Sequence, residues 1–402
     1  MIAEQPCLAD CQSRANGRAK ATLVWGVLAF LAAQGVLAYV VGRSHPEIRD
    51  PEYGYRFIRL REQAEAAPDR PLFLILGSSR TLSGICPPSL PAWPANAGPE
   101  PRVFNFSLLG AGPVRELMTL RRLLAAGHRP KWLLIEVWPP YWPQQGYWLD
   151  EFHIMQQDLR PEDLSVVARY FTDRETALGK LATEVLVPVI GFRSNLLARL
   201  VPPLLSPDQR WREQRFAFWE GGELTGWRPW LAHGTAEDFR ARIAGVKQQT
   251  KPCLDNFSIS ETADRATREI LDECRRRNIK AALILMPEHS ELRGWYTPAV
   301  REQVNAYLTR LRSEYQVPIF DTREWVGDDE FHDLTHMAPP AAPVYTQHLG
   351  RELLLPWLTE RNDKLKYPGA PATGRAARRW RSGILQLASS LCHLLGLIPS
   401  RC

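Results

Sequence analysis

Ser79 and His336 have the side-chain types that could share one proton transfer. Ser79 lies in PLFLILGSSRTLSG, residues 71–84, where an apolar run stops at Gly77 and gives way to Ser78, Ser79, Arg80 and Thr81. His336 lies in FHDLTHM, three residues after Asp333. A serine hydroxyl is a weak nucleophile until a base takes its proton and donors receive the oxyanion it creates. His336 is the candidate base, and the spacing lets Asp333 hold one ring nitrogen while the other faces the serine. NFSLLGAG, residues 105–112, offers Gly110, whose N–H can approach a reacting carbonyl with no side chain in the way. The competing reading makes Ser79 a turn residue and His336 a helix-start residue.

Three further residues are candidates for the pocket wall: Arg80, Asn105 and His289. Arg80 either recognises an anionic group or pairs with a carboxylate. Glu288 and His289, in MPEHS after another apolar run, either line the pocket or cap the next segment. His332 and His336 stand four apart, a metal-like spacing on a helix. No third ligand accompanies them and the segment reads as loop, so neither metal nor cofactor is expected.

These residues need a scaffold that gathers distant loops. LFLIL (72–76), RVFNFSLLGAG (102–112), KWLLIEVWPP (131–140), AALILMP (281–287) and VPIFD (317–321) are short apolar runs with the pattern of buried strands. Helical patterns fall between and after them: GPVRELMTLRRLLAAG, then 261–277, 298–315 and 341–358. Alternation of this kind predicts an α/β fold, a mostly parallel sheet covered by helices on both faces in three layers. Chemistry in such sheets gathers outside the carboxyl ends of the strands. The serines lie at one such end, and the loop after VPIFD at another.

The alternation breaks between residues 139 and 250. This insertion holds helical pieces (161–171, 174–186), proline-rich turns and Trp211, Trp219, Trp227 and Trp230. It reads as a lid or docking surface over the active edge, or equally as extra core.

The chain has 402 residues and a net charge of +6, and the charge is uneven. Residues 1–45 and 360–402 hold twelve basic against four acidic side chains, whereas residues 46–359 hold 38 against 40. A nearly neutral body argues against a nucleic-acid groove, and basic ends suit an anionic membrane surface. Ala21–Gly42 is uncharged over 22 residues, about 33 Å of helix and enough to cross a bilayer core. Arg14, Arg18 and Lys20 precede it, which predicts a cytoplasmic N-terminus and an exported body. A cleaved signal peptide ending near Val36–Ala38 would export the body too. The tail places Trp380, Ile384, Leu387, Leu391, Leu395 and Ile398 on one helical face behind a basic cluster, an interfacial pattern. Cys86, Cys253 and Cys274 could furnish one disulfide or remain buried thiols.

Taken together, GSS (77–79), NFSLLG (105–110) and DLTH (333–336) resemble, in order, three of the blocks of the SGNH (GDSL-type) hydrolase superfamily. The resemblance covers roughly residues 70–138 and 255–358. It implies Ser79 as nucleophile, the N–H groups of Ser79 and Gly110 as oxyanion hole, and Asp333 and His336 as the rest of a triad. Two departures stand out. Ser78 replaces the first-block aspartate, a variation found in the branch of D-alanyl-transfer and exopolysaccharide O-acetylation proteins. IEVWPPYW ends the third strand without the family's G-x-N-D, so the third oxyanion donor is missing; Arg80 or a partner is the candidate substitute.

The expected organisation is a cytoplasmic N-terminus (1–20), a membrane anchor (21–42), an SGNH-like domain (46–138 and 251–359), the insertion (139–250) and a basic amphipathic tail (360–402). The expected function is an extracytoplasmic serine esterase or O-acyltransferase acting on envelope polysaccharide or a related glycoconjugate. Its partners would be the acyl or glycan substrate, membrane lipid and, by family analogy, a membrane-embedded acyltransferase, with no nucleic acid. The alternatives are an assembly factor that kept the fold and lost efficient chemistry, and a glycan-binding module using Trp219 or Trp227.

Overall fold

The computed structural model describes residues 7–229 and 236–359. The chain opens with a long helix, α1 (Cys7–Arg43), followed by a one-turn helix α2 (Pro46–Arg49) and by α3 (Pro51–Ala66). Pro51 suits the first turn of α3, and the carboxylate of Asp50 accepts the free N–H groups of Glu52 and Tyr53. Next come β1 (Leu72–Leu76), α4 (Ser79–Gly84), β2 (Arg102–Asn105), α5 (Pro113–Ala125) and β3 (Pro130–Glu136). The insertion contributes α6 (Gln144–Met155), α7 (Leu164–Tyr170), α8 (Arg174–Leu186), α9 (Pro188–Gly191), α10 (Arg193–Leu200), α11 (Trp211–Glu220) and α12 (Ala236–Asp255). The body then resumes with α13 (Glu261–Arg276), β4 (Lys280–Leu285), α14 (Ser290–Gly294), α15 (Pro298–Tyr315), β5 (Ile319–Asp321), α16 (Ala341–Leu349) and α17 (Leu355–Leu358).

The five strands form one parallel sheet in the order β2-β1-β3-β4-β5. Strand side chains alternate between faces, so each strand feeds two cores. Leu72, Leu74 and Leu76 join one core with Leu117, Ile270 and Val304 of the crossover helices. Phe73 and Ile75 join another with Tyr345, Leu349 and Trp357 of the closing helices. Burial on both faces is why β1 reads as an unbroken apolar run. The strand order reverses between β1 and β3, and a crevice opens at such a reversal beyond the carboxyl ends. Ser79 follows β1 at that point.

Several boundaries differ from the sequence reading. The closing helix expected over 341–358 is interrupted by a π-helical turn, Gly350–Leu354. The helix expected from residue 161 starts at Leu164, behind a 3₁₀ turn at Pro161–Asp163. The insertion's expected end at 250 falls inside α12, which continues through Pro252 to Asp255. The last strand begins at Ile319, after Pro318, which has no N–H to give the ladder. Cys86, Cys253 and Cys274 are free and buried, so the disulfide alternative does not hold among them.

Within α1, Arg18–Arg43 is long and apolar enough to cross a membrane. The amphipathic helix expected beyond residue 375, and Trp230, lie outside the described residues.

Candidate active site

Of the two serines after β1, Ser78 is used up by the fold. It caps α4, its Oγ accepting from Arg80 N–H at 3.2 Å. Its own N–H and Oγ–H both donate to Glu136 Oε2, at 2.7 and 2.8 Å. Thr81 Oγ1 donates to the same oxygen at 2.7 Å. Gly77 is needed because a Cβ there would meet Thr81 Oγ1 at 2.6 Å and Glu136 Oε2 at 2.8 Å. Asn105 is fully buried; its Nδ2 donates to the carbonyls of Thr81 and Ile85, both at 2.9 Å. It therefore clamps α4 at the end of β2 and is not a pocket-wall residue. Ser79 is left as the first helical residue of α4, where its N–H has no intrahelical acceptor.

The loop after β5 brings up the histidine. Phe331 and Met337 pair as an antiparallel bridge and His332 N–H donates to His336 O at 3.1 Å, so residues 332–336 form a tight closed turn. Asp333 Oδ1 fills it, accepting from Thr335 N (2.6 Å), Thr335 Oγ1 (2.9 Å) and His336 N (2.7 Å). Its Oδ2 meets His336 Nδ1 at 2.7 Å, and His336 Nε2 meets Ser79 Oγ at 2.8 Å. Burial pushes the Asp333 carboxyl up, but the charge and hydrogen bond of His336, with the two backbone donors, outweigh it. The group is held well below the usual carboxylate range. Residues separated by 257 positions thus meet in one hydrogen-bonded relay. With Nδ1–H given to the carboxylate, Nε2 can accept the serine proton.

Gly110 sits in a rigid loop. Its φ of +65° is left-handed, and a Cβ there would run into the His153 ring at 2.2 Å. Leu109 N–H donates to Glu52 Oε1 at 2.6 Å, and Arg115 ties Glu52 Oε2 (3.1 Å) and the Leu109 carbonyl together. Asp150, on α6 of the insertion, accepts the N–H groups of Gly112 and Val114 at 2.9 Å. Burial, only partly offset by these donors and Arg115, pushes its carboxyl up to about 6. His153 of the same helix has its imidazole pushed down by burial and by the nearby Arg115.

Arg80 is not free to act as an oxyanion donor. Its side chain is 3 % exposed, pairs with Glu136 (3.2 Å) and Glu288 (3.5 Å), and donates to the Met286 and Pro287 carbonyls. Its guanidinium lies 4.8 Å over the Trp138 ring, and Trp138 Nε1 and Tyr296 Oη donate to Glu288 Oε1 at 3.0 Å each. His289 caps α14, accepting from Glu291 N–H at 3.1 Å, and also braces the histidine loop. Its ring lies edge-on to Phe331 at 5.9 Å, its Nδ1 is 3.8 Å from Asp328 Oδ1, and its N–H donates to Leu334 O at 3.3 Å. Trp219 is buried, and Trp227 Nε1 donates to Ser83 O at 2.9 Å, which leaves both committed to packing. Asp333 supplies the third group that the histidine spacing lacked, since the ligand atoms of His332, Asp333 and His336 lie within 4.8 Å of one another. A cation held there would compete with the relay for His336.

Sequence reasoning missed Glu136, Asp150 and His153. Glu136 left a trace, a carboxylate closing a buried apolar strand, which demands a buried cation or several donors. Asp150 and His153 left none, because their roles depend on how α6 folds back. No family model and no curated protein matches the chain.

Proposed function

We propose that the protein is a membrane-anchored serine esterase or O-acyltransferase with the three-layer SGNH fold, acting outside the cytoplasmic membrane on acyl groups of envelope polysaccharide or a related glycoconjugate. The observation that carries this reading is the unbroken relay from Asp333 through His336 to Ser79 Oγ, with hydrogen bonds of 2.7 and 2.8 Å. In this mechanism Ser79 Oγ attacks the acyl carbonyl carbon as its proton passes to His336 Nε2. Asp333 keeps the imidazole oriented and stabilises the imidazolium. The N–H groups of Ser79 and Gly110 receive the oxyanion. Collapse expels the leaving alkoxide, protonated by His336, and leaves an acyl-serine. His336 then deprotonates water or a sugar hydroxyl, whose oxygen takes the acyl group and frees Ser79. α1, with its apolar span, supports the anchor, and the three basic residues ahead of that span support a cytoplasmic N-terminus.

A fluorophosphonate probe applied to the full chain in detergent tests this. Labelling is expected at Ser79 and is expected to fall by about 10⁶-fold in His336→Ala and to vanish in Ser79→Ala. A folded protein that takes no label excludes serine catalysis. Trapped acyl-enzyme offered water or an oligosaccharide separates esterase from transferase.

One observation favours a second reading. No third-block asparagine is present and Arg80 is sequestered by two carboxylates, which suits an assembly factor with weakened chemistry. Loss of one oxyanion donor costs about 10²–10³ in turnover where it has been measured. On this second reading, Ser79→Ala cells keep a normal envelope while cells lacking the insertion do not.

A further inference from the structure

Outside α1, every exposed large hydrophobic side chain among the described residues belongs to the insertion. Seven of them crowd into the stretch from Val185, at the end of α8, to Leu204, in the turn after α10. That stretch lies directly against α1. Val189 N–H donates to Gln34 Oε1 at 3.2 Å, and Phe192 and Leu196 pack with Leu37, Val41 and Ile48. Gln34 precedes Arg43 by nine residues, which is about 13 Å along a helix axis. If Arg43 marks the edge of the hydrocarbon core, α9 touches the span deep in the leaflet on the body's side, whose thickness is about 15 Å.

The backbone there is built for such a place. A segment in hydrocarbon must satisfy its own N–H groups, because no water is present to do so. Val187 N–H donates to Thr183 O, Ile190 and Gly191 N–H to Val187 O, and Phe192 N–H to Pro188 O. Val189 N–H uses Gln34, and Pro188 has none to satisfy. Gln34, the one amide side chain in the apolar run, is 7 % exposed and faces this contact. Leu186, Ile190, Leu200 and Leu204, by contrast, are 54–68 % exposed. Arg193 is exposed one turn beyond Ile190, and its long stem lets the guanidinium reach up to the headgroups.

We infer that residues 185–204 are seated among lipid acyl chains, as a re-entrant shoulder beside α1 in the leaflet that faces the body. This rests on the anchor reading of α1. The shoulder is tied to α2 by Asn195 Nδ2, which donates to the Ile48 and Arg49 carbonyls at 3.0 and 3.1 Å, and to α11 by the Arg199–Glu220 pair at 3.3 Å. Beyond α11, Arg59 of α3 donates to Trp219 O at 2.7 Å, and Arg228 N–H and Trp227 Nε1 donate to the carbonyls of Leu82 and Ser83 on α4. The helix that carries Ser79 is thereby held at a fixed height over the bilayer.

The test places a diazirine amino acid, one position at a time, in the full chain reconstituted into phosphatidylethanolamine–phosphatidylglycerol vesicles. Ile190 and Leu204 probe the shoulder, Leu28 the span, and Gln303, exposed on α15, the solvent. Lipid adducts at Ile190 and Leu204 are expected to match those at Leu28 and to exceed those at Gln303 by at least tenfold. Adducts at Leu28 alone overturn the shoulder while keeping the anchor; no adduct at Leu28 overturns both. The same positions irradiated in native membranes distinguish the occupant, and crosslinks to another protein in place of lipid overturn the proposal.

Discussion

The α/β body and the insertion obey opposite surface rules. The body buries its large apolar side chains and also buries charged ones, in compensated groups such as Arg80 with Glu136 and Glu288. The insertion keeps Trp219 and Phe216 inside but leaves thirteen large apolar side chains exposed. Monomers in water rarely gather so many in one region. The body therefore has the surface expected of a protein in water, whereas the insertion leaves much apolar surface uncovered. Apolar packing joins them, with Tyr147, Val167 and Tyr170 in one core with Leu117, and Phe216 and Trp219 against Tyr55 and Leu82. Polar contacts pin the seam: Asp150 holding the Gly112 loop, Arg56 donating to the Asn105 and Gly226 carbonyls, and Trp227 donating to Ser83 O.

The two regions should therefore answer mutation differently. The largest effect falls on the body's buried charges. Glu136→Gln strips Arg80 of a carboxylate in a dry site and should cost about 3–5 kcal/mol. Thermal and chemical denaturation in detergent measure it, and a loss under 1 kcal/mol would mean the network is solvated.

The seam and the site carry carboxyls with opposite pH behaviour. Asp150 holds its proton more tightly folded (about 6) than unfolded (3.8). Its favourable share is complete below pH 4 and is lost as pH rises through 6, a change of about 3 kcal/mol. Asp333 is shifted the other way, so its share is complete above about pH 4 and is lost on acidification toward its lower folded value. Wild type should thus lose its stability advantage over Asp150→Asn between pH 4 and 8, and its advantage over Asp333→Asn below pH 4. Denaturation midpoints across that range check both signs.

The smallest effect is expected on the insertion's outer surface. Leu224→Gln, at a side chain 68 % exposed, should shift stability by no more than about 0.5 kcal/mol in detergent. A larger loss would show that the exposed apolar surface is part of the fold's own packing.

Local pattern carried much of this into view. The strands were legible because burial on both faces leaves only apolar residues in β1, and α15 (Pro298–Tyr315) because Thr297 and Pro298 announce its start. The insertion was legible only as a break in the pattern. Its helix α8 followed the expected bounds, but nothing in the order of residues told that α6 would fold back to place Asp150 on Gly112 and His153 on Gly110. Arg80 was ambiguous for the same reason: its carboxylates stand 56 and 208 positions away.

By itself the sequence determined the alternation of strand and helix, the apolar span of α1, and the residue types able to form a proton relay, because these depend on composition and spacing along a few turns of chain. Only the tertiary structure decided that Ser79 faces His336 while Ser78 is spent on Glu136, that Arg80 and Asn105 are structural, and that the insertion lies along the span. Those are matters of which distant groups compete for the same few ångströms, and competition between distant groups is settled only when the chain has closed on itself.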